Sequence, residues 1–332
     1  MSAPSARYRR LALGTAIATF LLIIVGGIVR VSGSGLGCGP ENSGFHGWPF
    51  CNGDVVPGVN LNSAIEYSHR TLASVVAIAM IAMAAIAWRR YRSNGALVWS
   101  TTAASGLIVI QGLLGAATVE EGLDKTLVAT HLGLAMALLA LAVYAWRATR
   151  SPQSPVPSPQ EQGRALRPLA VAASVAVLCT IVAGGYMAGT QKYGRPDYQL
   201  GDGAHHACGK QFPTCNGEFM PFGKSQLVDI HLTHRAFMYL ASLLLIALII
   251  VVLRRRPSPG VVRSAYLLGG LLVLQILLGA LNVWLDEYEA LIVAHLAVGT
   301  LLWTAAVGLA FQLYRVPAPA PSVARSRQPV AA

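Results

Sequence analysis

Charge is what this sequence has least of. Only 12% of its 332 residues are Asp, Glu, Lys or Arg, where a soluble domain carries about 25%. That scarcity excludes an ordinary soluble globular protein. Proline is also missing where it would matter. The chain has 18 prolines, but none interrupts an apolar run, which argues against the broken helices that many transporters place at their binding sites. Cysteine is rare, with five in all. Only Cys179 falls in an apolar run, where inert packing is the expected role. Acids number 14 against 25 basic residues.

What is present is apolar surface in long pieces. Hydrophobic residues make up 54% of the chain, in stretches near 11–31, 63–87, 96–118, 126–146, 168–188, 227–253, 262–285 and 289–311. Each approaches the roughly 20 residues a membrane-spanning helix needs. The first run is longer than the apolar core of a signal peptide and has no small-residue cleavage site after it, so it is expected to stay. Most Lys and Arg fall in the N-tail, the Arg89-Arg90-Tyr91-Arg92 turn, the 147–167 segment, the Arg254-Arg255-Arg256 turn and the C-tail. The alternate loops hold most of the acids. By the positive-inside rule both termini are cytoplasmic and the cysteine-bearing loops lie outside. The net charge of +11 is then explained by topology and by contact with anionic lipid, and no nucleic-acid partner is expected.

Residues 151–163, rich in Pro, Ser and Gln, read as a linker that cannot pack as a core. On either side the chain repeats itself. Gln111-Gly112-Leu113-Leu114-Gly115-Ala116 matches Gln275-Ile276-Leu277-Leu278-Gly279-Ala280 at an offset of 164, which also carries His131 onto His295. Within one residue of that offset, His69-Arg70 falls on His234-Arg235, and Pro49 with Cys51-Asn52-Gly53 falls on Pro213 with Cys215-Asn216-Gly217. Four helices per half is an even number, so the halves enter the membrane from the same side. The expected fold is an all-α integral membrane protein of eight transmembrane helices, built as two pseudo-symmetric parallel four-helix bundles. The expected divisions are 1–150, a linker at 151–167, 168–315 and a flexible tail at 316–332.

Ionisable residues inside a bilayer are costly and are functional candidates by default. Glu66, His69 and Arg70 share one face of the second helix, and His231, His234 and Arg235 share the equivalent face of the sixth. His131 and His295 sit five to seven residues inside helices four and eight, roughly 8–10 Å at about 1.5 Å per residue. Each half therefore offers two imidazoles at one level on two helices, the arrangement that axial ligation of a haem iron requires. Zinc or copper fits less well, with two nitrogens per half and no intramembrane thiolate beside them. Glycines 106, 112, 115, 269, 270 and 279 could line a slot for the macrocycle or simply serve close helix packing.

Glu66 is the asymmetric member, because His231 takes its place in the second half. It could carry proton chemistry or simply pair with Arg70. Arg70 and Arg235 are candidates for haem propionates. In the loops, Cys38 with Cys51 and Cys208 with Cys215 are expected to form one disulfide each, either as staples or as redox pairs. His46, His205 and His206 are expected to be exposed.

These residues resemble the haem A synthase family. The resemblance rests on the Glu66-Tyr67-Ser68-His69-Arg70 motif, a histidine at matching depth on each of helices four, six and eight, and paired loop cysteines. It implies oxidation of a methyl group of haem O to the formyl group of haem A, for terminal oxidases. It further implies substrate haem O at His69 and His131, haem b as cofactor on His234 and His295, and Glu66 assisting at the substrate. Haem O synthase, a quinol or other electron-transfer partner, and terminal-oxidase assembly factors are the implied partners. One departure stands out: Cys38 and Cys51 enclose twelve residues, about twice the family's spacing. The sixth helix also offers His231 one turn from His234, and the repeat favours His234. The competing reading is a two-haem b-type cytochrome that passes electrons from quinol and modifies nothing. It leaves a carboxylate in one half alone without a purpose.

Overall fold

A computed structural model describes residues 4–150, 165–191, 203–285 and 288–314. The Pro-rich linker and the C-tail lie outside these ranges. Among the described residues the chain forms eight helices long and apolar enough to cross a membrane. They are α1 (Ala6–Val31), α2 (Leu61–Arg90), α3 (Gly95–Glu120), α4 (Lys125–Ala148), α5 (Arg167–Gly189), α6 (Gln226–Arg255), α7 (Pro259–Trp284) and α8 (Glu289–Tyr314).

Local chemistry explains where these helices begin. Ser5, Asn60, Asn94, Asp124, Ser225 and Ser258 each accept a hydrogen bond from an amide in the first turn of the helix that follows. This satisfies donors that no preceding turn can reach. Pro168 and Pro259 stand in the first turns of α5 and α7, where a missing N–H costs nothing. Arginines at the ends of α2 and α6 complement the partial negative charge of the carbonyl terminus.

In the first half α1 packs on α2 and α4, α2 on α3, and α3 on α4. In the second, α5 packs on α6 and α8, α6 on α7, and α7 on α8. The halves meet where α4 contacts α5 and α8, and where α1 contacts α8. Small residues permit that approach. A Cβ on Gly189 of α5 would fall 2.5 Å from the Cα of Lys125 at the start of α4. Trp303 of α8 donates its indole N–H to the Met136 carbonyl of α4 at 3.2 Å. The opposite faces carry exposed Leu13, Ile17, Leu21, Leu243, Ile246 and Ile250, an apolar surface suited to lipid.

The two cysteine loops are built alike. Cys38 is bonded to Cys51 and Cys208 to Cys215, so the longer first spacing does not prevent the bond. After the second cysteine of each pair, Asn52-Gly53 and Asn216-Gly217 all take positive φ, from 52° to 85°. That is the type I′ turn for which Asn-Gly is the favoured pair. It lets Cys51 N–H donate to Asp54 O, and Cys215 N–H to Glu218 O, each at 2.8 Å.

Candidate functional site

His69 and His234 are each the ninth residue of their helix, α2 and α6. His131 and His295 are each the seventh of α4 and α8. All four line one cavity of about 750 Å³ to which every helix contributes, within the range of about 300–1,000 Å³ common to cofactor sites. Although they lie deep in the protein, all four are only half-buried, as rings facing internal space are. His69 and His131 line the cavity from the first half, and His234 and His295 from the second.

Each ring rests on a glycine of the preceding helix. A Cβ on Gly26, Gly184, Gly279 or Gly115 would stand 3.0, 3.0, 3.1 or 3.5 Å from the Cε1 atom of His69, His234, His295 or His131 respectively. Of the glycines expected to line a slot, only Gly115 and Gly279 meet a histidine; Gly112 lines the cavity, while Gly106 and Gly270 face open space and Gly269 meets Ile249. Gly26 and Gly184 escaped the sequence reading. The doublets Gly26-Gly27 and Gly184-Gly185 were the available signal, at an offset of 158 rather than 164.

The hydrogen bonding of the rings suits a metal in search of nitrogen ligands. His234 Nδ1 bonds the Thr180 carbonyl at 3.0 Å, which fixes the tautomer and leaves Nε2 for other work. Nδ1 of His69, His131 and His295 is buried without a hydrogen-bond partner. Among the described residues no three His, Cys, Asp or Glu side chains gather into a metal-binding group. Two imidazoles per half, seated on glycine, therefore fit a haem, whose macrocycle brings the remaining ligands itself. Gly184→Ala should lower the haem retained per chain by several-fold, because a ring tied to Thr180 would have to leave its place to admit a Cβ 3.0 Å away. Gly270→Ala, on an exposed site with nothing near its Cβ, should leave the pyridine haemochrome yield unchanged.

The halves differ around the histidines. Glu66 is 3% exposed; its Oε2 accepts the Cys38 amide at 2.8 Å and its Oε1 pairs with Arg70. His231 at the equivalent place is also 3% exposed, and its Nδ1 bonds the Ala204 carbonyl at 2.8 Å. Both side chains thus hold the loop above them, one through an amide and the other through a carbonyl. A second difference lies on α3 and α7. Gln111 donates to the backbone carbonyl of His131 at 2.9 Å, whereas Gln275 reaches the His295 ring, Nε2 to Nε2 at 3.2 Å. Gly299 leaves room for Gln275, since a Cβ there would lie 3.0 Å from its Nε2. The repeat puts Ala135 in that place in the first half.

The arginines do the same work in both halves. Arg70 Nη1 donates to the carbonyls of Gly47 and Phe50 at 2.7 and 2.9 Å. Arg235 donates to Gln211 and Thr214 at 2.8 and 2.9 Å, with Pro213 at 3.3 Å. Gly47 and Phe50 are the repeat partners of Gln211 and Thr214, so each guanidinium clamps the segment leading into its disulfide turn. His46 is exposed, as expected. His205 is not: it is half-buried in the short helix Ala204–Cys208 and lines the cavity. Burial there, and His231 nearby, hold its imidazole well below the usual range, so it stands neutral.

The chain matches the COX15-CtaA family, described as cytochrome oxidase assembly protein, over residues 58–307. It is 30% identical over 248 residues to the heme A synthase of Shouchella clausii (strain KSM-K16), covering 73% of this chain and 75% of that one. The heme A synthase of Alkalihalophilus pseudofirmus is 30% identical over 243 residues, with the same coverage of both chains. That of Bacillus pumilus is 35% identical over 152 residues, covering 42% of this chain and 47% of its own. A match across both histidine pairs and seven of the eight helices means that this chain belongs to the COX15-CtaA family of cytochrome oxidase assembly proteins.

Proposed function

We propose that this protein is a haem A synthase, an oxidoreductase that converts a methyl group of haem O to the formyl group of haem A. The α1–α4 half receives haem O between His69 and His131. The α5–α8 half holds haem b between His234 and His295. The observation that carries this reading is the cavity with four histidines seated on four glycines, in a chain whose relatives are named as heme A synthases.

Haem b, when bound, supplies one-electron redox chemistry at its iron. The protein's own part is to bind, orient and manage protons. Glu66 is the one carboxylate among the described residues lining the cavity. Arg70 and the Cys38 amide hold its carboxyl group in one place, as a group that exchanges protons with a substrate requires. His231 in the other half has given its Nδ1 to the loop, and that half needs no proton acceptor if its haem is never altered. The pure electron relay gains nothing from the comparisons, and it leaves Glu66 unexplained.

The test is to purify the protein and extract its haems. Haem b together with haem O or haem A is the expected result. Haem b alone at two per chain would favour the relay, and colourless protein would end both readings. The expected orientation puts the disulfide loops and the histidine level toward the outer face, within reach of an electron partner in the membrane.

A further inference from the structure

The glycine doublets carry more than the histidine seats. On α1, Gly26 seats His69 of its own half, and Gly27 faces the other half. A Cβ on Gly27 would run into Cδ2 of Leu296, the residue that follows His295. On α5, Gly184 seats His234 and Gly185 faces across. A Cβ there would stand 3.0 Å from Cδ2 of Leu132, the residue that follows His131. Leu132 and Leu296 are repeat partners at the offset of 164, and the doublets are partners as well. The same contact is therefore made twice, in opposite directions, where α1 meets α8 and α4 meets α5.

We infer that Leu132 and Leu296 are positioning residues, each a knob beside one half's histidine that fits the socket beside the other half's histidine. The inference rests on the haem reading above. A continuous line of packed atoms runs from His295 through Leu296, Gly27 and Gly26 to His69, and another from His131 through Leu132, Gly185 and Gly184 to His234. Close-packed interiors transmit displacement, so a change in one socket moves the histidine of the other half. The two haem sites are in this way held at one separation and one mutual orientation. A side chain at either socket would meet the knob, which would have to shift to admit it.

The test uses the purified full-length protein with its haem b and reads the low-spin ferric signal of the α5–α8 half by electron paramagnetic resonance. Gly27→Ala lies in the first half, on a residue that touches neither His234 nor His295. It should nevertheless shift that signal by more than its line width, and Leu296→Ala in the same chain should return it. The mirror pair is read by titration with haem O. Gly185→Ala should weaken binding in the α1–α4 half by about tenfold, as contacting residues are coupled, and adding Leu132→Ala should recover most of it. An unchanged signal in Gly27→Ala, or a shift that Leu296→Ala does not reverse, overturns the inference. If Gly27→Ala does not accumulate, Leu296→Ala alone should broaden the signal by freeing α8, and a wild-type signal there overturns it equally. Wild-type protein without haem would instead bring down the functional reading itself, and the positioning role with it.

Discussion

Replacing Glu66 with Gln should lower haem A formation by at least about 100-fold, the scale on which a positioned proton acceptor contributes, while leaving haem b content unchanged. Gln is nearly isosteric. Its amide oxygen can still accept the Cys38 N–H that Glu66 accepts at 2.8 Å, so the loop above the site stays anchored. What is lost is the charge and the capacity to take a proton, together with the ionic part of the contact to Arg70. The assay is conversion of supplied haem O, with products separated after extraction and haem b counted in the same sample. Full haem A formation by the Gln variant would reduce Glu66 to a loop anchor, the part His231 plays in the second half.

Arg70→Leu is the informative contrast, because it removes the partner rather than the acceptor. Glu66 would be left 3% exposed with a buried charge and one hydrogen bond, and the Gly47 and Phe50 carbonyls would lose their donor. Breaking such a buried pair costs about 3–5 kcal/mol. The expected outcome is a loss of thermal stability along with activity, where the Gln variant loses activity alone. A thermal melt of the detergent-solubilised protein followed by tryptophan fluorescence separates the two.

Much of this site was legible from residue type and spacing. Intramembrane histidines are rare enough to stand out, and a duplicated chain shows each twice, so His69, His131, His234 and His295 could be paired before any coordinates. The Asn-Gly turns after Cys51 and Cys215 follow from a short-range steric rule and were equally readable. What the sequence did not disclose depends on where backbone runs. Arg70 and Arg235 were readable as propionate candidates; that their donors meet loop carbonyls was not, since nothing in a side-chain pattern announces a carbonyl. Gly26 and Gly184 were hidden by a different offset, since the segment joining α1 to α2 is not the same length as that joining α5 to α6. His205 looked like a surface residue because it lies in a loop; a short helix folds it over the cavity.

His234→Ala should empty the α5–α8 half, lowering haem b per chain by at least about tenfold and removing its low-spin signal, since loss of an axial ligand forfeits both affinity and spin state. The Thr180 carbonyl holds His234 Nδ1 at 3.0 Å, so the Ala variant leaves a hole with a glycine floor at Gly184 and one hydrogen-bond acceptor on its wall. Free imidazole matches that hole in shape and in its donor, and adding it should restore the low-spin signal. His69→Ala should behave differently, keeping haem b and its signal while losing haem O binding and product. The pair of variants also decides the sixth-helix ligand. His231 is one turn away, but its Nδ1 is held by Ala204 and its side chain is nearly fully buried. To replace His234 it would have to reach the iron with Nε2, the ring nitrogen that its bond to Ala204 leaves. Retention of a full low-spin signal in His234→Ala would show that it does, and would move the haem b ligand from His234 to His231.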